Sequence, residues 1–179
     1  MKFSEAEEIL LGFVDDPSLI RHCRTVSMVM KAYAQLLGED TEEWAIAGLL
    51  HDADYQKYPE KHPNIIVNLL RERNENKIAH AISAHYTKWG QCYDSDLAKY
   101  LLAVDELTGF IIATSLMRPT RLEGMTPKSV IKKLKTKGFA AGVDRDEIYK
   151  SMEIANLDLD KHIVFIISVL QNQQSLLEL

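Results

Sequence analysis

The chain has 179 residues, 46% of them hydrophobic and 26% charged, which is typical of a soluble globular protein. This length is enough for one well-buried core, so we expect a single domain over residues 1–179. The formal net charge of -5 argues against nucleic acid or an anionic membrane as a partner, because both attract basic surfaces.

The N-terminal residues and the cysteine content predict a cytoplasmic protein. The first ten residues contain three glutamates where a signal peptide needs an apolar run, and the longest apolar stretch, 163–170, is too short to span a bilayer. Cys23 and Cys92 are too few and too far apart for a disulfide framework or a CxxC zinc site. We therefore expect reduced thiols and no membrane segment.

Helix signals recur along the whole chain, whereas alternating strand patterns and hairpin turns are missing, so the sequence predicts an all-α helical bundle. Most of the predicted helix starts combine a side chain able to cap a helix, or a proline at its first turn, with a following apolar periodicity. In chain order these starts are Ser4, Asp16-Pro17, Thr41, His62-Pro63, Asn74, Asp94, Thr126-Pro127, Asp144 and Asp158. The second helix is expected to stop near Gly38 and the sixth before Pro119.

Several potential metal ligands lie on or beside these helices. His22 shares a helical face with Leu19 and Val26, and Asp105 lies on an equally apolar stripe. Such polar groups are costly to bury without a partner, and a divalent cation can satisfy several at once. The adjacent pair His51-Asp52, at the end of the third helix, offers one nitrogen and one oxygen ligand to the same ion. The sequence therefore predicts a metalloprotein.

Three other histidines differ in the faces that they occupy. His85 aligns with Ile78 and Ile82 and is a ligand candidate. His80 lies about 140° around the same helix on a polar side and is expected to be a bystander. We expect His162, which lies on an apolar face near the C-terminus, to be a packing residue.

The order His22, His51-Asp52, Asp105 on the helices of an all-α chain resembles the HD-domain superfamily of metal-dependent phosphohydrolases. The resemblance covers residues 19–110, the motif core, and includes WAIAGLLHDADYQKYPEKHP from Trp44 and AVDELTGF from Ala103. It implies a single helical domain of the HD type. Residues 126–179 would complete the helical bundle of this domain.

The resemblance also implies the ligand set. His22, His51, Asp52 and Asp105 would hold one metal. His62, which has no apolar face to support it, and His85 lie where dinuclear members carry two further ligands. Asp52 would then bridge two ions. Ligands of this kind, without cysteine, favour iron, manganese, zinc or nickel over magnesium in a site of one or two divalent ions.

The implied activity is hydrolysis of a nucleotide or another small phosphate ester or anhydride by a metal-activated water. We expect Asp52 to be catalytic through the metals, and Asp54 and Lys57 to orient the water or contact a phosphate. The chain lacks the HDxGK and GYP sequences of cyclic-dinucleotide phosphodiesterases, and Tyr55 and Gln56 replace the acidic pair of the HDxxED alarmone hydrolases. The resemblance therefore does not extend to cyclic dinucleotides or alarmones as substrates.

A basic segment from Arg118 to Lys137 contains seven basic residues against one acidic residue, for a local charge of +6. It could steer an anionic substrate to the metals, and Arg118, Lys133 and Lys137 are the candidate phosphate contacts, although a charge run is often only a solvated face.

Two other interpretations keep the same ligands: a di-iron oxygenase of the HD type, and a non-catalytic nucleotide-binding module with a structural metal. The sequence does not decide between a monomer and an oligomer.

Overall fold

A computed structural model describes residues 1–173, which form an all-α structure and confirm the predicted fold class. Across this range the α-helices are α1 (Phe3–Phe13), α2 (Pro17–Leu37), α3 (Thr41–Leu50), α4 (Asn64–Glu72), α5 (Asn76–His85), α6 (Asp96–Leu116), α7 (Pro127–Leu134), α8 (Arg145–Ala155) and α9 (Leu159–Gln171). Short 3₁₀ turns cover Pro59–Lys61 and Thr87–Trp89. In these 173 residues no helix is both long and apolar enough to cross a membrane.

Most predicted helix boundaries follow from local capping chemistry and are confirmed. Asp16, Asp144 and Asp158 each accept a hydrogen bond from a first-turn N–H of the helix that follows. Thr126 caps α7 in the same way. Helix α2 ends at Gly38, whose φ of +76° is a left-handed conformation that glycine adopts without a steric penalty.

Two predicted caps are wrong, by two residues in α1 and by one residue in α3, and in each case a neighbouring carboxylate accepts the hydrogen bond. Helix α1 begins before Ser4, since the Glu5 carboxylate accepts a hydrogen bond from the Lys2 N–H at 2.6 Å. The third helix is capped by Asp40, which accepts from two N–H groups of the first turn and leaves Thr41 as the first helical residue.

Asp94 was also expected to cap a helix, and this prediction is wrong. Its carboxylate instead pairs with the His80 ring, with an Nε2 to Oδ1 distance of 2.8 Å. The hydroxyl of Ser95 accepts the hydrogen bond from the Ala98 N–H at the start of α6. A contact between residues 14 apart in sequence has thus replaced a local one.

The chain divides into two compact units, Met1–Leu102 and Ala103–Leu179, and the division falls within α6. In the first unit, α3 packs against α1, α2 and α5, and α4 packs against α5. In the second unit, α7 packs against α9. The predicted C-terminal helices of 126–179 correspond to α7, α8 and α9, while residues 174–179 lie outside the described residues. The expectation of a single domain stays a prediction.

Candidate metal centre

Helix α3 delivers His51 to the interior of the first unit. The helix is buried from Trp44 to Leu50, so the chain that leaves it starts within the core, and His51 is fully buried. Its Nδ1 lies 2.8 Å from the carbonyl oxygen of Gly48. Because a carbonyl can only accept, Nδ1 carries the proton and Nε2 is the unprotonated nitrogen. That tautomer presents a metal-binding lone pair.

Helix α2 brings His22 to the same place. The Nε2 atoms of His22 and His51 are 3.1 Å apart. Two nitrogens bound to one ion at about 2.1 Å, and separated by a right or tetrahedral angle, lie about 3.0–3.4 Å apart. The observed spacing is therefore that of two ligands on one ion.

This spacing depends on how closely α2 and α3 approach at Gly48. A Cβ atom placed on Gly48 would lie 2.8 Å from the backbone N and Cα of Ser27. The Ser27 hydroxyl also donates to the Ala45 carbonyl at 2.7 Å, which joins the two helices at the same level. Gly48 thus sets the distance between the helix that carries His22 and the helix that ends at His51.

His62 and His85 present the same tautomer as His51. His62 Nδ1 donates to Oδ1 of Asp54 at 2.6 Å, and His85 Nδ1 donates to the carbonyl oxygen of Ile82 at 2.5 Å. Both rings are more than nine-tenths buried, with exposed fractions of 7% and 8%. In each ring Nε2 is left as the unprotonated nitrogen, and it faces Asp52.

Asp52 lies between the two pairs of histidines. Its Oδ1 is 3.3 Å from His62 Nε2 and 3.6 Å from His85 Nε2. Its Oδ2 is 3.6 Å from His51 Nε2 and 3.8 Å from His22 Nε2. Each carboxylate oxygen therefore faces a different pair of imidazole nitrogens.

These side chains form two groups that could hold a metal ion, and both groups share Asp52. The first consists of His22, His51 and Asp52, and the second of Asp52, His62 and His85, with ligand atoms within 4.8 Å of one another in each group. Imidazole nitrogens with a carboxylate oxygen are a ligand set suited to divalent transition metals. His51, His62 and His85 are also anchored through the other ring nitrogen, as metal-bound histidines commonly are. The residues thus fit one or two divalent transition-metal ions.

Asp54 and Lys57, the two expected contacts to water or phosphate, make protein contacts instead. Asp54 is fully buried, and besides His62 it accepts hydrogen bonds from the N–H groups of Ile65 and Ile66 at 3.0 Å each. It thereby caps the start of α4. Lys57 Nζ donates to the Gly12 carbonyl at 2.7 Å and ties the loop to α1. Direct contact with substrate stays a prediction for both residues.

The two histidines that were set aside have other partners. His80 is paired with Asp94 and belongs to neither metal-binding group. His162 is buried in the second unit, where its Nε2 donates to the Ala103 carbonyl at 3.0 Å. Burial lowers the pKa of His162 to about 4, although that hydrogen bond acts in the opposite direction. The packing role expected for His162 is in agreement with this environment.

The remaining predicted residues lie in the second unit. Asp105 is half-buried on α6, and its role as a ligand stays a prediction. Arg118 donates to the Glu123 carbonyl at 2.8 Å, and Lys133 Nζ stands 4.9 Å from the ring centroid of Phe139. Lys137 is exposed. Contact of the basic segment with a phosphate likewise stays a prediction.

Sequence reasoning missed the anchoring role of Asp54 and the aromatic rings around His62. Tyr55 and Tyr86 lie with their ring centroids 5.3 and 5.5 Å from that of His62, and both are perpendicular to it at 88°. The only signal in the sequence was that each of these residues lies within four positions of a candidate ligand. Such proximity along the chain does not specify a contact.

The family comparison agrees with this geometry. Residues 19–127 match the family model described as HD domain, and the match covers more than half of the chain. No curated protein and no solved structure shows significant similarity to the chain. The chain therefore belongs to the HD domain family, which implies membership of a superfamily of mostly metal-dependent phosphohydrolases.

Proposed function

We propose that the protein is a dinuclear metal-dependent phosphohydrolase that cleaves a nucleotide or another small phosphate ester or anhydride with a metal-activated water. The observation that carries this proposal is the placement of Asp52, whose two oxygens face separate histidine pairs at 3.3–3.8 Å. A carboxylate so placed can bridge two ions. Two-metal sites with ions about 3.5–4 Å apart are common in enzymes that cleave phosphate bonds.

When bound, such ions would lower the pKa of water and polarise the phosphoryl oxygens. The protein residues determine where this happens. The Nδ1 hydrogen bonds of His51, His62 and His85 fix three tautomers in advance, so no proton has to move within these rings when an ion binds. Asp52 would supply the negative charge that offsets the repulsion between two bound cations. The donor set favours iron, manganese, zinc or nickel over magnesium.

Asp54 supports this site as a positioning residue. Its two oxygens together accept three hydrogen bonds, from the His62 ring and from two N–H groups of α4. One carboxylate therefore fixes both the orientation of His62 and the start of the helix that follows. Because Asp54 has no exposed surface, its effect on the reaction would pass through His62.

Metal analysis of gently purified protein, followed by a panel of phosphate esters and anhydrides with added manganese, iron, nickel, zinc or magnesium, tests the proposal. We expect two ions per chain and hydrolysis of at least one small phosphate compound. Replacement of His51 or Asp52 by alanine should reduce both metal content and activity, whereas His80→Ala should reduce neither.

Two outcomes would contradict hydrolysis while leaving the metals in place. Two bound irons with oxygen consumption on a polyol or phosphonate, and no ester cleavage, would identify an oxygenase. Tight nucleotide binding without turnover of any compound in the panel would identify a non-catalytic module.

A further inference from the structure

A chain of perpendicular aromatic rings runs outward from His62, and this cluster is defined by Tyr55, Tyr86 and Trp89. Tyr55 and Tyr86 both contact the His62 ring, and Trp89 contacts Tyr86 with ring centroids 5.9 Å apart at 86°. These separations lie within the range of favourable edge-to-face pairs. The cluster is therefore held in place by its own contacts and does not depend on a ligand.

Tyr55 leaves most of its side chain available to another molecule. It follows the metal-binding pair by three residues and remains 52% exposed although its ring contacts His62. An edge-to-face contact covers at most one face of a tyrosine ring. Tyr86 and Trp89 are only half-buried. An exposed aromatic face therefore lies directly beside a residue of the second metal-binding group.

The position of Lys88 indicates which chemistry suits this surface. Aromatic clusters bind either flat rings by stacking or cations by their π-faces. Lys88 Nζ already lies 5.4 Å from the ring centroid of Tyr86. A second cation would be repelled there, while an anionic compound would be attracted. The combination of exposed aromatic faces with the positive charge of Lys88 favours a ligand with a flat heteroaromatic ring and a negatively charged group.

The distance from the metal-binding group agrees with such a ligand. His62 Nε2 lies 3.3 Å from Asp52, and the Tyr55 ring centroid lies 5.3 Å from the centroid of the His62 ring. A phosphoryl group held at the metals would thus have this aromatic surface beside it, within reach of the organic part of the same molecule.

We propose that Tyr55 stacks on the nucleobase of a nucleotide substrate and that Tyr86 and Trp89 support this subsite. The inference rests on the proposed function, since the phosphoryl group at the metals determines where the base lies. It makes a nucleotide the preferred substrate over a sugar phosphate or an alkyl phosphate.

Binding of the nucleoside alone tests the stacking without any chemistry at the metals. Isothermal titration should show that adenosine binds and that ribose does not. Stacking of a base on an aromatic side chain contributes about 1–3 kcal/mol, so Tyr55→Ala should weaken adenosine binding at least about fivefold. Tyr55→Phe, which keeps the ring, should retain the affinity of the wild type.

Tyr58→Ala is the matched control, because Tyr58 lies in the same loop, is 40% exposed and contacts Phe13. It should leave adenosine binding unchanged. Circular dichroism would establish that each variant is folded, and Tyr55→Leu offers a bulkier replacement if Tyr55→Ala is not.

Equal loss of adenosine binding in Tyr55→Ala and Tyr58→Ala would overturn the proposal. Undetectable adenosine binding, or tighter binding of phosphocholine than of adenosine, would overturn it as well.

Steady-state kinetics distinguish failure of the stacking proposal from failure of the proposed function. Equal kcat/KM for adenosine monophosphate and ribose 5-phosphate would reject stacking but retain hydrolysis. Adenosine binding that depends on Tyr55, without cleavage of any ester or anhydride in the panel, would reject hydrolysis but retain the subsite.

Discussion

Replacement of Gly48 by alanine should separate the two helices that carry the first metal-binding group. The new Cβ would lie 2.8 Å from backbone atoms of Ser27, whereas ordinary contacts begin at 3.4 Å, so α2 and α3 must move apart by about 0.6 Å at this level. The obstacle is backbone, which cannot rotate away as a side chain could. The same movement would change the position of His51, whose Nδ1 is bonded to the Gly48 carbonyl.

Two opposing terms determine the size of the effect on stability. Overpacking of a well-packed core costs about 1–3 kcal/mol, while replacing glycine by alanine within a helix gains about 1 kcal/mol. We expect the steric term to exceed the gain and the free energy of unfolding to fall by up to about 2 kcal/mol. The change in ligand spacing should also lower the affinity for one of two ions.

Gly12→Ala is the matched control, since Gly12 is also helical and a Cβ there would meet no atom within 4 Å. It should leave stability unchanged or raise it by up to about 1 kcal/mol and leave metal content unaltered. Urea denaturation and elemental analysis of both variants provide the measurements. If Gly48→Ala is as stable as Gly12→Ala and retains all its metal, the close approach of α2 and α3 does not set the site.

Two further substitutions test single side chains. In Asp54→Asn, the side-chain oxygen would keep the hydrogen bonds from α4, and the amide NH₂ group would face His62 Nδ1. Because that NH₂ group donates, the ring proton of His62 would move to Nε2, the nitrogen that faces Asp52. We expect about 10–100-fold weaker binding of one ion, measured by competition with a chelator. Unchanged affinity would show that Asp54 does not control the His62 tautomer. His162 has a folded-state pKa of about 4, below its ordinary value of 6.5, so its stabilising effect is complete above pH 6.5 and is lost as the pH falls through about 4. Urea denaturation across this pH range should show that the free energy of unfolding falls by about 3 kcal/mol less in His162→Gln than in the wild type. Parallel pH profiles for the two proteins would contradict the assignment of this effect to His162.

The predictable parts of the molecule depend on residues that are near one another in sequence. Asp16, Asp144 and Asp158 cap the helices that follow them because the capping oxygen and the N–H groups are only two or three residues apart. Asp94 failed as a cap because its partner, His80, belongs to a preceding helix. Local capping rules contain no term for such a competing partner.

The same distinction between local and long-range contacts applies to the candidate metal centre. The inward positions of His22 and His85 follow from helical periodicity, and the family resemblance identified His62. The use of Asp54 as the anchor of His62 could not be predicted, because it depends on a loop that returns its carboxylate to both the ring and the start of α4. The need for glycine at position 48 likewise arises only when α2 packs against α3.

The central claim is that Asp52 bridges two ions, and metal stoichiometry in matched variants tests it most directly. Elemental analysis of gently purified protein should give two ions per chain in the wild type and in His80→Ala, one in His62→Ala, and fewer than one in Asp52→Ala. Retention of the wild-type content by His62→Ala would contradict the second metal position. Retention by Asp52→Ala would contradict the bridge itself.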